Sequence, residues 1–438
     1  MNEKTYGRGV QRRGFGWGLR ILTAGVVLLA VVAVAFWLVV VWPLRDPHPK
    51  LRLATGTLAI EHAQIYVSPT DPVIPDGTVV IHDGLIAAVG ANVAVPADAT
   101  VLPCDHCVVT AGFWNAHVHF TEPKWTGANW KSADELEAQM KDMLTSRGFT
   151  TVVDTGSNPI DTIALRRRVE KGELDGPMIY TAGTALYPPH GIPFYLRENM
   201  PGWMLRLMPQ PATPEEARDV VSTNLKRGAD ITKLFTGSWV ERGKVLPMPL
   251  NVAKAAVERT HLNGRLVFSH PSSLLGTQIA IQSGVDVLAH APDDTEGIGP
   301  ELFAEMVKRN MAMIPTLKMF STTVTANPRY MDPIRAEVKS FHEQGGQLIF
   351  GTDVGYMTDY TTEGEFVELG RSSLKPMDVL AMLTVNPASR FGVTKLKGTV
   401  TQGKLADLTV LSADPTEDLQ NFSKVRMAIR SGKVIYQR

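Results

Sequence analysis

Two histidines one residue apart, His117 and His119, open the list of residues that could do chemistry here. Further along stand Lys233 in GADITKLF, His270 in RLVFSH, His290 in VDVLAH and Asp353 in LIFGTD. Each ends a short apolar run. Imidazole and carboxylate are ligands of zinc and similar divalent ions, and an incomplete protein shell leaves room for a water molecule. Taken singly, each residue has a structural reading: a satisfied rim histidine, a lysine paired with a carboxylate, an aspartate in a turn. Four of the 11 histidines falling at the ends of β-like runs is a pattern that the single readings do not explain.

The elements that must position them can be read from the same stretch. Between about residues 111 and 392, β-rich runs alternate with amphipathic helical segments, the pattern of βα units and a parallel sheet. Eight strands are expected at 113–118, 150–154, 178–183, 231–235, 265–270, 286–291, 312–317 and 348–353. Helices are expected at 133–147, 214–227 behind Thr213 as a cap, 251–262 and 301–309. Eight such units fit a closed (β/α)₈ barrel, whose active site lies at the C-terminal ends of the strands. Alternate strand residues share a face, so both imidazoles of His117-Val118-His119 converge on one point.

Residues 53–110 and 393–438 read differently, as short alternating strands punctuated by Asp76-Gly77, Asp83-Gly84 and Ser431-Gly432. They are expected to form one small β-sandwich domain from both ends of the chain, around a catalytic barrel at 111–392. From Ile21 to Trp42 the chain runs 22 residues without a charge, about enough to span a 30 Å hydrocarbon core. Lys4, Arg8, Arg12, Arg13 and Arg20 precede it, and Trp17, Trp37 and Trp42 lie near its ends. The expectation is a cytoplasmic basic segment 1–20, an uncleaved transmembrane anchor 21–42, a linker 43–52 and a catalytic part outside, periplasmic or extracellular.

Composition adds exclusions. The 438 residues are 44% hydrophobic and 20% charged with zero formal net charge, so nothing favours nucleic acid as a partner. No G-x-x-x-x-G-K-[ST] loop supports nucleotide binding. Cys104 and Cys107 are the only cysteines. They could close a small disulfide loop or stay as buried thiols, and a lone C-x-x-C lacks the second pair of a structural zinc site.

These motifs resemble the amidohydrolase superfamily, with its His-x-His after the first strand, lysine on the fourth, histidines on the fifth and sixth and aspartate on the eighth. The flanks TAGFWNAHVH, VNPASRFGV, GTVTQGKLADLTVL and SGKVI are similar too, although Ala111 stands where proline is usual. GTDV and DITKLF look most like the imidazolonepropionase-like branch, which includes prolidase-type and arginine-carboxypeptidase-type enzymes. The resemblance implies two divalent metals, zinc by default. His117, His119 and Asp353 would hold one, and His270 and His290 the other. Lys233 would bridge them as an N6-carboxylated side chain, since an ammonium cannot ligate a cation. It implies a hydroxide shared between the metals and Asp353 as general base.

The implied reaction is hydrolysis of an amide C–N bond in a peptide, an N-acyl amino acid or a similar small substrate, as in a dipeptidase or carboxypeptidase. A hydrolase of cyclic amides, lactones or esters is the alternative. A non-catalytic metal-binding barrel serving as a membrane-tethered interaction module is the reading from another class. Barrels of this kind also commonly form homo-oligomers. His190, in the loop after the third strand, stands where related enzymes often place a substrate-contacting histidine. Trp125, Trp130, Tyr195, Trp203, Trp239 and Tyr356 could line the mouth, and Arg197 and Arg242 could meet a substrate carboxylate.

Overall fold

A computed structural model describes residues 15–41, 44–324, 327 and 329–438. The chain divides into two compact units, Met1–Arg45 and Asp46–Arg438. In the first, an α-helix runs over Phe15–Phe36 and a π-helical turn follows at Trp37–Val41. Among the described residues no helix is long and apolar enough to cross a membrane. The expected anchor is therefore corrected, and with it the membrane attachment and the external location. The physical reason is the mismatch between the apolar run and the helix. The helix begins before Arg20, so its uncharged α-helical part, Ile21–Phe36, reaches only about 24 Å at 1.5 Å per residue, short of the bilayer core. Lys4, Arg8, Arg12, Arg13 and Trp42 lie outside the described residues.

Within the second unit, strands from both ends of the chain join one eight-stranded sheet. Its path runs Lys433–Gln437, Val425–Arg430, Leu408–Leu411, Val108–Ala111, Thr57–Ile65, Ile74–His82 and Leu85–Gly90, with Thr100–Leu102 beside Thr57–Ile65. Both ends of the chain thus contribute to one continuous sheet. Ile60, Ile65, Val79, Val109, Leu408 and Ile429 share its core, which is why neither terminal segment could bury its apolar face alone. Cys104 and Cys107 are disulfide-bonded and staple the turn entering Val108–Ala111.

Eight parallel strands follow: Phe113–Val118, Phe149–Asp154, Met178–Thr181, Ile231–Phe235, Leu266–His270, Val287–Leu288, Ala312–Met313 and Gln347–Leu348. The first three pair in sequence, as do the last five. Backbone bonds close the ring at both seams. Leu186 N donates to Lys233 O at 2.9 Å, and Ala116 N to Phe350 O at 2.8 Å. Ala116, Val153, Ala182, Ile231, Phe268 and Ile349 fill the interior.

The last three strands keep only two paired residues each, shorter than their apolar runs suggest. His290 and Asp353 therefore sit just beyond regular pairing, on backbone that can bend toward the axis. Asp353 adopts a left-handed φ of 60° and Thr316 one of 51°, conformations a non-glycine residue holds only when its surroundings impose them. Helices run at Ala133–Met143, Pro214–Arg227, Leu250–His261 and Pro300–Lys308. Thr213 caps the second of these, accepting from Glu216 N.

Candidate metal centre at the barrel mouth

Strand period places two of the side chains directly. Ile231 and Phe268 point into the barrel core, so Lys233 and His270, two residues further on, face inward one layer higher. His117 is held by a knot beneath it. Asn115 Oδ1 accepts from His117 N and Thr352 N, both at 3.2 Å, while its amide donates to Thr352 Oγ1 at 2.7 Å. That knot ties the first strand to the eighth. The approach is so close that a Cβ on Gly351 would stand 2.8 Å from His117 Cβ, and one on Gly355 (φ 97°) would stand 1.9 Å from His119 O. Only glycine fits either position.

The rings gather in one chain. His117 lies 4.4 Å from His290 and 5.3 Å from His119, centroid to centroid, and His270 lies 4.4 Å from His290. Nε2 atoms of His117 and His119 stand 3.3 and 3.1 Å from Asp353 Oδ1. Ligand atoms of His117, His290 and Asp353 all lie within 4.8 Å of one another. Lys233 is buried, its Nζ 5.7 Å from the Phe235 ring, and its charge bears on His117, His270 and His290.

Hydrogen bonds decide which nitrogens are free. His119 Nδ1–H donates to Gly156 O at 2.8 Å, which turns Nε2 toward Asp353 Oδ1 and the Thr155 hydroxyl, 3.1 and 3.3 Å away. The Thr316 hydroxyl donates to Pro315 O, so it accepts from His290 Nδ1–H at 2.7 Å, and His290 Nε2 keeps its lone pair. The His270 ring stacks on Phe235 with centroids 4.7 Å apart. Burial holds His117, His270 and His290 well below the usual imidazole range, so all three are neutral near pH 7. Burial acts the same way on His119, but the Asp353 carboxylate outweighs it and the pKa is raised. Burial lowers Lys233 to about 7 against the opposing pull of Asp353.

Two buried atoms in this cluster, Asp353 Oδ1 and His117 Nδ1, have no hydrogen-bond partner. A carboxylate oxygen flanked by imidazole nitrogens and left without a donor is costly unless a cation completes it. The donor set of imidazoles and a carboxylate fits a divalent metal.

The remaining expected residues fare variously. His190 is exposed, with φ 59°, and takes no part in the ring or ion-pair contacts of the cluster. Trp125 belongs to the core, edge-on to Phe120. Trp130 and Trp203 are exposed. Tyr195 meets Tyr356 at 5.4 Å, and Trp239 Nε1 donates to Asp293. The Arg197 guanidinium donates to Val240 O, and that of Arg242 lies 5.3 Å from the Phe194 ring. Tyr187, Ile192 and Phe235, with Leu196, Leu205 and Met208 against them, form an apolar cover beside the cluster.

Asp154 is a residue the sequence reading passed over. It ends the second strand and accepts from Ser157 Oγ at 2.5 Å and Thr181 Oγ1 at 2.6 Å, and its charge reaches His119. Reading every strand end alike would have found it. Two cavities of about 360 and 340 Å³ lie elsewhere, lined by groups such as Asp134 and Lys141 or His342 and Asp378, and none of the clustered residues borders them. Donor chemistry, rather than cavity size, marks the site.

The model of the amidohydrolase family matches residues 108–435. The chain belongs to the amidohydrolase family. Among curated relatives of this amidohydrolase, the enamidase of Eubacterium barkeri is 26% identical over 78% of this chain and 82% of its own length. The imidazolonepropionase of Thermoplasma volcanium is 24% identical over 32% of this chain, and the match spans only 37% of that relative. A crystal structure of a Xaa-Pro dipeptidase with methionine bound has a TM-score of 0.73 at 22% identity, covering 87% of this chain and 100% of that one. That likeness is one of fold.

Proposed function

We propose that this amidohydrolase is a metal-dependent hydrolase of an amide C–N bond in a peptide, an N-acyl amino acid or a similar small molecule. The observation that carries the reading is Asp353 Oδ1: buried, without a hydrogen-bond donor, and 3.1–3.3 Å from two imidazole nitrogens. Similarity to an enamidase, an imidazolonepropionase and a dipeptidase supports the same bond class.

Two divalent ions, zinc by default, would be held by His117, His119, His270, His290, Asp353 and a carboxylated Lys233, and would supply Lewis acidity toward water and the scissile carbonyl. Lys233 suits that role because its amine, at about 7, is substantially neutral at physiological pH. Addition of CO₂ to the free amine forms one C–N bond and releases one proton, leaving a carbamate with two oxygen donors. Asp353 would take a proton from the attacking water and return it to the leaving nitrogen. Its left-handed backbone and the bond from Asp353 N to His117 O, 2.9 Å long, hold the carboxylate in register with the first strand.

The test is metal content and hydrolysis measured together on the full chain, prepared with zinc and bicarbonate, against dipeptides, N-acyl amino acids and lactones. About two metals per chain are expected, and Asp353→Asn should lower turnover by roughly 10²–10⁴-fold. Folded protein that binds no metal, or an Asp353→Asn variant of undiminished rate, would remove the proposal.

A further inference from the structure

The same mouth holds a second group of acids that the proposed hydrolysis does not use. Three residues past His290, the Asp293 carboxylate accepts Trp239 Nε1–H on both oxygens, at 3.1 and 3.0 Å, and the Tyr330 hydroxyl at 3.1 Å. Both donors are neutral. Among the described residues no lysine, arginine or histidine forms an ion pair with Asp293, although such pairs are common elsewhere in the chain.

Glu337, from the helix Met331–Glu343, joins the group. It is only 6% exposed, neither of its oxygens has a hydrogen-bond partner, and the charges of Asp293 and Asp294 both act on it. An acid buried without a donor, beside an aspartate whose partners are neutral, is a costly arrangement that stability alone does not explain. What the group lacks is positive charge. Asp293 follows the cluster residue His290 by three positions, and Tyr195, on the helix Phe194–Asn199, feels the charges of both Asp353 and Asp293. The rings of Trp239 and Tyr330 add π faces that attract cations.

We infer that Asp293, Glu337, Trp239 and Tyr330 form a subsite for a positively charged nitrogen, so that the favoured substrate is an amide carrying an ammonium or guanidinium group beside its scissile bond. Calling the ligand a substrate rests on the hydrolytic reading above; the binding itself does not. A bound cation would counter the Asp293 charge, give Glu337 the donor it lacks, and lie against the two rings. Three elements build this subsite: the hairpin after the fourth strand, the loop after the sixth, and the helix that precedes the eighth, with Tyr330 at its N-cap and Glu337 within it.

The experiment measures binding to the full chain by calorimetry, with four probes. Arginine amide carries both cations, N-acetylarginine amide the guanidinium alone, citrulline amide the ammonium alone, and N-acetylcitrulline amide neither. At least one singly charged probe should bind about tenfold or more tighter than the uncharged one, and Asp293→Asn should abolish that preference while keeping the weaker affinity. Which singly charged probe wins tells side-chain recognition from amino-terminus recognition.

Trp239→Phe and Tyr330→Phe, which remove one donor each and retain an aromatic ring, should lower the preference by a lesser factor and serve if Asp293→Asn does not fold. Equal affinity for all four probes, or a preference unchanged in Asp293→Asn, overturns the subsite. Asp353→Asn should retain the charge preference. Preference without turnover would therefore sink the hydrolytic reading alone, and turnover without preference the subsite alone.

Discussion

Replacing Glu337 by glutamine keeps the shape of the side chain and removes its ionisation, and the consequence for stability has a definite sign. Burial, reinforced by the charges of Asp293 and Asp294, pushes the Glu337 carboxyl from 4.5 up to about 9. In the unfolded chain the same group ionises near its ordinary value. Between those two pKa values the folded state keeps a proton that the unfolded state has released, so Glu337 costs the fold more as pH rises through the window. At pH 7 the shift amounts to about 2.5 pH units at about 1.36 kcal/mol each, or about 3 kcal/mol, against under about 1 kcal/mol at pH 5 and about 5 at pH 8. Relaxation of the helix and entry of water would bring the change between pH 5 and pH 8 down to about 2–4 kcal/mol.

The assay is urea unfolding of the parent and Glu337→Gln proteins at pH 5, 6, 7 and 8, followed by tryptophan fluorescence. Histidine titration at the metal centre affects both proteins alike and cancels in the difference. The gap in favour of the glutamine variant should widen steadily with pH. A gap independent of pH, or one that narrows, would refute the reasoning. Glu337 would then be ionised in the folded protein, and a cation or donor would already be satisfying it.

Three further outcomes follow from the proposed metal centre. The reactive form of Lys233 is its free amine, at about 7, so chelated protein should regain activity with zinc and bicarbonate faster at pH 8 than at pH 6, and mass spectrometry of the native protein should show one added CO₂; equal rates would argue against a carbamate. Chelation should abolish hydrolysis and lower the unfolding temperature, because Asp353 Oδ1 and His117 Nδ1 then remain buried without partners; scanning calorimetry with and without chelator checks this, and zinc should restore both. Phe235→Ala removes the ring stacked on His270 and part of the apolar cover; it should cost about 3–5 kcal/mol in denaturant unfolding and weaken metal retention in dialysis.

The barrel strands and the residues ending them were legible because both carry a period in the chain. Apolar runs announce the strands, and Lys233 and His270 lie two residues beyond the core-facing Ile231 and Phe268. Similar logic would have revealed Asp154 had it been applied to TVVDTGS. The long apolar run 21–42 misled for the opposite reason: hydropathy reports composition, not where a helix begins and ends, and the α-helix stops at Phe36. The cation subsite was illegible as a site. No motif marks Asp293, and Trp239 reads only as one more mouth aromatic. Glu337 did leave a trace, since Ile334, Val338 and Phe341 form the buried face of its helix and Glu337 falls among them. A charged residue on an apolar stripe asks for a partner, and only the tertiary structure shows which groups stand opposite.

This difference in legibility has a mechanical counterpart. Lys233 and His270 belong to regularly paired barrel strands, His117 lies at an irregularity of the first strand held by the knot at Asn115, and His290 and Asp353 lie a few residues beyond regular pairing, so backbone bonds and that knot fix their mutual positions. Asp293, Trp239, Tyr330 and Glu337 come from loops, a hairpin and an outer helix, and meet only through side chains. Breaking one of those contacts leaves the strand ladder intact. Asp293→Asn should therefore change which amides are preferred while metal content stays the same, whereas a change at Asn115 should disturb His117 and with it the metal centre. Selectivity carried on elements outside the ladder can vary without disturbing the chemistry carried on it.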